Sequence, residues 1–208
     1  MFVPLCLFAR FIRAEFKYFG IKMTLRIIAG EFKGRKLRSV RGTKTRPTAD
    51  RIREAIFNIL TFQIQDATVL DLFAGTGAFG IEALSRGAKS VVFIDADSDS
   101  ISVLRENIKT FSLEGLTKIF RWDLTRNLNC LSSLQFAFDL IFMDPPYNKN
   151  MIETTLFNLH CSHSMQNGAQ IVVEHSFLEP VSKSQLPFEI SDQRGYGKTL
   201  VSFLNYVV

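Results

Sequence analysis

One segment narrows the fold more than any other: Val69-Leu70-Asp71-Leu72, then Phe73-Ala74-Gly75-Thr76-Gly77-Ala78-Phe79-Gly80, then Ile81-Glu82-Ala83-Leu84. The apolar run reads as a buried strand, the Gly-x-Gly-x-x-Gly spacing as a tight turn, and the rest as a helix lying close on that strand. A second apolar run, Ser90-Val91-Val92-Phe93-Ile94, ends on Asp95, twenty residues after Gly75. This is the first half of a Rossmann-type sheet. The alternation continues with a helix over residues 98–110, which Asp97 and Asp99 cap, and a strand at Lys118-Ile119-Phe120. A strand over 138–143, a helix over 151–160 and a strand over 169–174 follow. Residues 188–191 and 199–207 form a terminal hairpin around Gly195-Tyr196-Gly197. Such alternation gives a mainly parallel sheet with an antiparallel edge. A chain of 208 residues, 47% of them hydrophobic, buries one core and forms one domain.

A glycine turn of this kind also serves nicotinamide dinucleotides, but Asp71 argues against that use. A carboxylate at the strand tip would repel a pyrophosphate docked on the helix N-terminus. The same carboxylate suits the ammonium of S-adenosylmethionine, which carries no phosphate. Asp95 then accepts from the ribose hydroxyls, and Asp123 from the adenine amine. The candidate cofactor set is Asp71, Phe73, Gly75, Thr76, Gly77, Asp95, Ala96 and Asp123.

Directly after the strand over 138–143 comes Asp144-Pro145-Pro146-Tyr147. In an aminopurine or aminopyrimidine the exocyclic amine lone pair is delocalised into the ring, so acceptors must draw its hydrogens out of plane before it attacks. Asp144 is one acceptor and the Pro145 carbonyl another. Two prolines stiffen the loop and donate no N–H, and Tyr147 offers a ring for a flipped-out base. Asp144, Pro145, Pro146 and Tyr147 are the candidate catalytic set. A plain strand exit with a Pro-Pro turn is the rival.

Charge is divided along the chain. The net charge of +5 comprises +3 over residues 1–22, +8 over 23–53 and −6 over 54–208. Arg26, Lys33, Arg35, Lys36, Arg38, Arg41, Lys44 and Arg46 alternate with apolar stretches and Gly30, Gly34 and Gly42, which predicts a small β-hairpin or meander. Phosphate contacts from such a patch would position RNA; the alternative is a solvated basic face. A helix over 48–60, with Thr48 as N-cap, buries Ile52, Ala55, Ile56, Ile59 and Leu60 while Arg51 and Arg53 project elsewhere. Arg46, Thr48 and Arg51 either lean over the cofactor or target base or are simply a helix start with surface charge. Arg194 and Lys198 are read as a hairpin tip.

Taken together, Arg26 to Gly30, Lys33 to Leu37, Arg46 to Glu54, Phe57 to Leu60, Asp71 to Gly80, Leu84 to Ala88 and Asp144 to Tyr147 resemble the bacterial 16S rRNA guanine-N2 methyltransferases of the RsmD type. The match runs in one order from about Leu25 to the end; one departure is Asp95, where the family usually carries Glu. The resemblance implies a class I S-adenosylmethionine-dependent methyltransferase, with a seven-stranded sheet and a basic N-terminal arm. It also implies a cytoplasmic enzyme acting on the exocyclic N2 of one guanine in small-subunit rRNA, with Arg51 joining the RNA-binding set.

Other functions remain beside it: a DNA or RNA adenine-N6 methyltransferase, though no segment has room for a duplex-reading module, or a non-catalytic RNA-binding assembly factor. A protein glutamine methyltransferase is disfavoured by Asp rather than Asn at 144. C5 methylation is disfavoured because none of Cys6, Cys130 and Cys161 follows a proline. Those scattered cysteines also point to a reducing compartment. His160-Cys161-Ser162-His163 lacks a fourth metal ligand at the usual spacing. No metal and no membrane are expected, and the chain is expected to act as a monomer. Residues 1–22, basic and rich in Phe, are read as a non-native or disordered extension before Met23, with the basic RNA-binding arm over 23–47 and the methyltransferase domain over 48–208.

Overall fold

The computed structural model describes residues 25–40, 47–181 and 187–207. The extension read over 1–22, with Arg41, Lys44 and Arg46 of the arm and the Thr48 side chain, lies outside the described residues.

Helix α1 (Pro47–Ile59) starts with a proline, whose missing N–H costs nothing in a first turn. Strand β1 (Thr68–Leu72), α2 (Ala78–Ser85), β2 (Ser90–Asp95), α3 (Ser98–Phe111) and β3 (Thr117–Arg121) follow. The chain then crosses back to β4 (Phe138–Met143), α4 (Ile152–Cys161) and β5 (Met165–Ser176), and ends in the hairpin β6 (Phe188–Tyr196) and β7 (Thr199–Tyr206). The seven strands lie in the order β3-β2-β1-β4-β5-β7-β6. All pairs from β3 to β5 are parallel; β7 is antiparallel to both β5 and β6. This is the class I methyltransferase sheet with its antiparallel edge. The order reverses between β1 and β4, the switch point at which open α/β sheets bind ligands.

Alternation along the strands sorts two apolar layers. Val69, Val91, Phe93, Leu140 and Phe142 face α1, α2, α3 and the arm, whereas Leu70, Leu72, Val92, Ile94, Ile141 and Met143 face α4 and Leu124, Leu128 and Leu131. In the first layer, Phe57 of α1 and Phe79 of α2 lie 5.3 and 5.1 Å from the Phe142 ring. Removing such a side chain costs about 3–5 kcal/mol. Gly80 lets α2 lie close on β2, because a Cβ there would stand 2.3 Å from Phe93. Among the described residues, no helix is long and apolar enough to cross a membrane.

The arm is less sheet-like than its sequence predicts. A single antiparallel bridge, Arg26 to Lys36, closes residues 25–40, with Leu37 N–H donating to the Leu25 carbonyl at 2.8 Å. Fastening to α2 and α3 replaces strand pairing. Glu82, fully buried, accepts from the N–H groups of Ile28 at 2.7 Å and Ala29 at 3.0 Å. The Ser85 hydroxyl donates to the Ala29 carbonyl and accepts from Phe32 N–H. Gly30 packs so tightly here, at φ +78°, that a Cβ would fall 1.7 Å from the Ser85 carbonyl oxygen. Arg53 corrects the sequence reading: it is only 3% exposed, because the arm covers that flank of α1, and it donates to the Arg26 carbonyl at 2.7 Å. Arg51 is exposed as expected.

Candidate active site

Register builds the site. Leu72 pairs with Ile94 on one side and Met143 on the other, and Met143 pairs with Val173. The next residues, Asp95, Phe73, Asp144 and Glu174, therefore stand in one row along the carboxyl edge of β2, β1, β4 and β5. Asp71 lies two positions behind Phe73 on β1.

The glycine turn is built from strained backbone. Phe73 leaves β1 with φ +58°, a conformation costly for a bulky residue, and Gly75 and Gly77 follow with φ +54° and +80°. A Cβ on Gly77 would lie 2.4 Å from Leu104, so that position is closed by packing as well. A Cβ on Gly75 would approach only the Phe73 carbonyl oxygen, at 3.9 Å, and so would project into open space above the turn. Asp95 holds the turn in place, accepting from Gly75 N–H at 2.7 Å and, through its other oxygen, from Asp97 N–H at 2.9 Å. Asp71, 2% exposed, accepts from Gly80 N–H at 2.9 Å. Burial pushes its carboxyl up to about 8, against the pull of that hydrogen bond and with the Asp95 charge adding to the rise.

On the β4 side, Pro145 is buried, Pro146 exposed and Tyr147 half-buried. The Tyr147 hydroxyl donates to Glu174 Oε1 at 2.8 Å and lies 3.2 Å from Thr199 Oγ1 of β7. Asp144 accepts no hydrogen bond from any described residue. The protein mass behind it, then the charges of Glu174 and Asp71, push its carboxyl well above the usual range. Water reaches Asp144 from the mouth, which screens those charges and tempers the rise. Glu174 is also raised by burial, but the Tyr147 hydroxyl and the Arg53 charge draw it down. Both carboxyls are thus raised by burial, and Asp144 is raised further by the charges of its neighbours. A row of carboxylates beside a glycine turn suits a cationic ligand and repels a pyrophosphate.

The family described as Conserved hypothetical protein 95 matches residues 25–205. A curated relative, ribosomal RNA small subunit methyltransferase D of Escherichia coli, is 36% identical over 72% of this chain and 74% of its own. The chain belongs to this RsmD-type methyltransferase family. YlbH of Bacillus subtilis is 38% identical over 73% of this chain and 82% of its own. The solved structure of Escherichia coli yhhF superposes with a TM-score of 0.76 at 30% identity, covering 89% of this chain and 99% of that one.

In this family member, the sequence-derived residues fall into distinct groups. Asp71, Phe73, Gly75, Thr76, Gly77 and Asp95 surround the turn, and Ala96 follows, its carbonyl 3.3 Å from Arg121 Nε. Asp123 is exposed and occupied locally: Thr125 donates to it through N–H and hydroxyl, and Arg126 lies 3.2 Å away. Those bonds hold its carboxyl below the usual range. The basic set divides. Arg35 donates to the Thr110 carbonyl at 2.7 Å and stacks over Phe111 at 4.2 Å, and Arg38 pairs with Glu106 at 3.0 Å. Arg26, Lys33 and Arg51 instead line a groove of about 500 Å³ between arm and α1, shared with Asp50 and Glu54, while Lys36 is exposed on the arm. Asn107 of α3 joins the two regions: it accepts from Arg38 N–H at 2.8 Å and donates to the carbonyls of Arg38, at 3.1 Å, and Thr76, at 2.9 Å. Glu174, Thr199, Glu82, Arg53 and Asn107 escaped the sequence reading. Only for Glu174, the last residue of a predicted strand, did the sequence offer a signal, its place at a strand tip like those of Asp71 and Asp95. His160, part of the cluster weighed as a metal site, hydrogen-bonds Tyr206 at 3.0 Å.

Proposed function

We propose that this methyltransferase uses S-adenosylmethionine to methylate the exocyclic N2 of a guanine in 16S rRNA of the small ribosomal subunit, in the cytoplasm. One observation carries the reading: the unpartnered, water-accessible Asp144 leaves β4 level with the glycine turn leaving β1, beside a half-buried tyrosine ring. The site fits the cofactor through its acidic row and the open space over Gly75. Asp95 would accept from the ribose hydroxyls, Asp71 would face the ammonium, and Phe73, Thr76, Gly77 and Ala96 would line the pocket. Asp123 would reach the adenine amine only by leaving Thr125. When bound, the cofactor supplies an electrophilic methyl on a sulfonium.

The chain's own groups then do three things. Tyr147 covers one face of the extruded base. Asp144 and the Pro145 carbonyl accept the two amine hydrogens, drawing the nitrogen towards a tetrahedral shape and holding it for in-line attack. As the new N–C bond forms, the surplus proton passes to Asp144 or to water, and the high proton affinity of Asp144 favours the first route. Outside the pocket, Arg26, Lys33, Lys36 and Arg51 bind phosphates and set the RNA in register. The RsmD-type relatives support the choice of rRNA. The test is nucleoside mass spectrometry of 16S rRNA from a strain lacking this gene: one N2-methylguanosine should vanish and return with the wild-type gene but not with Asp144→Ala. Unchanged N2-methylguanosine in the deletion strain would contradict the reading.

A further inference from the structure

Tyr147 is held more firmly than a plain stacking platform requires. Its hydroxyl meets an acceptor on β5 and a hydroxyl on β7, so three elements fix one ring. Behind Glu174 lies Arg53, almost fully buried, with Nη2 donating to the Arg26 carbonyl and to Asp50 at 3.1 Å and with Nε left without a partner. Burying a guanidinium with a bare N–H is unfavourable unless the positive charge is used. Its charge reaches Glu174, Glu82 and Asp50.

We propose that Glu174 is a positioning residue for methyl transfer, acting through Tyr147: it fixes the ring that covers the target base, and Arg53 is the buried counter-charge on its far side. This rests on the reading of Asp144 to Tyr147 as the base site. A hydrogen bond from a phenol to an ionised acceptor is about twice as strong as one to a neutral acceptor, and it removes the ring's freedom to swing out of the stacking plane. The arrangement has a second consequence at the neighbouring residue. Asp144 faces Glu174 and Asp71 and gains proton affinity from both charges. Glu174 in turn is raised by burial, while the Tyr147 hydroxyl and then the Arg53 charge draw it down.

The test is a double-mutant cycle on the full chain, read by single-turnover methyl transfer to small-subunit rRNA and by RNA KM. Tyr147→Phe and Glu174→Leu should each lower kcat/KM by about 10- to 100-fold, the range of one charge-assisted hydrogen bond. The double variant should be no worse than the weaker single, because both remove the same bond. Glu174→Gln keeps a neutral acceptor for the hydroxyl and should restore part of the rate. Its acidic pH limb should move to lower pH, since a neutral amide no longer raises Asp144. Additive losses in the cycle, or an unmoved acidic limb in Glu174→Gln, would overturn the proposal. Should Glu174→Leu fail to fold, Glu174→Gln and Tyr147→Phe still decide it. A separate readout needs no substrate. Burial and then the Glu174 charge hold the Tyr147 hydroxyl above its ordinary value, so the carbon-13 resonance of Tyr147 should titrate at lower pH in Glu174→Gln, and an unchanged titration would also overturn the proposal. Wild-type protein that transfers no methyl to rRNA would instead remove the reading of the base site on which the proposal stands.

Discussion

At the carboxyl edge of the sheet, Asp71, Asp95, Asp144 and Glu174 stand in neighbouring positions on four strands, with Arg53 as buried counter-charge behind them. On the arm, basic residues are set close together along one short segment, yet Arg35 and Arg38 spend their charge on α3, leaving Arg26, Lys33 and Lys36 to the solvent side. The edge concentrates like charge from distant parts of the chain; the arm disperses like charge that is contiguous in sequence. Formal charge therefore misjudges both regions. It hides an acidic pocket inside a chain of net charge +5, and it overstates the charge that the arm leaves unpaired.

The largest expected effect tests the seam between the regions. Glu82→Ala would leave two buried N–H groups without their acceptor and remove the partner of Arg86, 2.8 Å away. Breaking a buried, hydrogen-bonded ion pair typically costs about 3–5 kcal/mol. Denaturant unfolding should show that loss, and one below about 1 kcal/mol would mean the arm is held without Glu82.

A pH-dependent effect of similar size belongs to the edge. The Asp71 carboxyl lies near 8 when folded, against 3.8 ordinarily. The unfolded chain ionises first, so the stability that Asp71 contributes is present below about pH 4 and is lost as pH rises towards 8. Asp71→Asn keeps an acceptor for Gly80 N–H and removes this loss. Its melting temperature relative to wild type should climb by several degrees between pH 5 and pH 8.5, about 2–4 °C for each kcal/mol, while affinity for S-adenosylhomocysteine falls. Parallel melting curves would show that Asp71 stays charged without cost.

The smallest effect separates free from occupied arm charges. Lys33→Ala with Lys36→Ala should lower the slope of log K for RNA against log salt by roughly 0.7–0.9 for each phosphate no longer neutralised. Arg38→Ala should barely change that slope and cost no more than about 1 kcal/mol of stability, as for an exposed ion pair. Equal slope changes in the two variants would erase the distinction between free and occupied charges.

The same contrast explains what was legible in the sequence. The glycine turn and Asp144 to Tyr147 are local: strand, turn and loop geometry follow from residues a few positions apart, so their order along the edge could be read from the chain. Most strands were legible for the same reason, each by a short apolar run, whereas β6, polar beyond Ile190, was read only over residues 188–191. Fastenings between distant residues left no such trace. Glu82 meets Ile28 across 54 positions, Asn107 meets Arg38 across 69, and Tyr147 meets Glu174 across 27. In sequence Glu82 is an ordinary helix carboxylate and Arg53 an ordinary helix cation. Burial of both appears only once the arm is laid over α1 and α2. The arm was read as a small β-hairpin or meander; it closes with one antiparallel bridge, and the rest of its fastening is shared between its own turns and the side chains of α2 and α3.

The central claim is that the bare carboxylate of Asp144, set beside the glycine turn, takes the amine of the target base. Single-turnover transfer of a labelled methyl to small-subunit rRNA, compared between wild type and Asp144→Ala, addresses it most directly. Loss of one preorganised hydrogen-bonding group predicts a fall of roughly 10²–10³-fold, with S-adenosylhomocysteine and RNA affinities nearly unchanged because Asp144 makes no hydrogen bond or ion pair among the described residues. A rate within threefold of wild type would contradict the account.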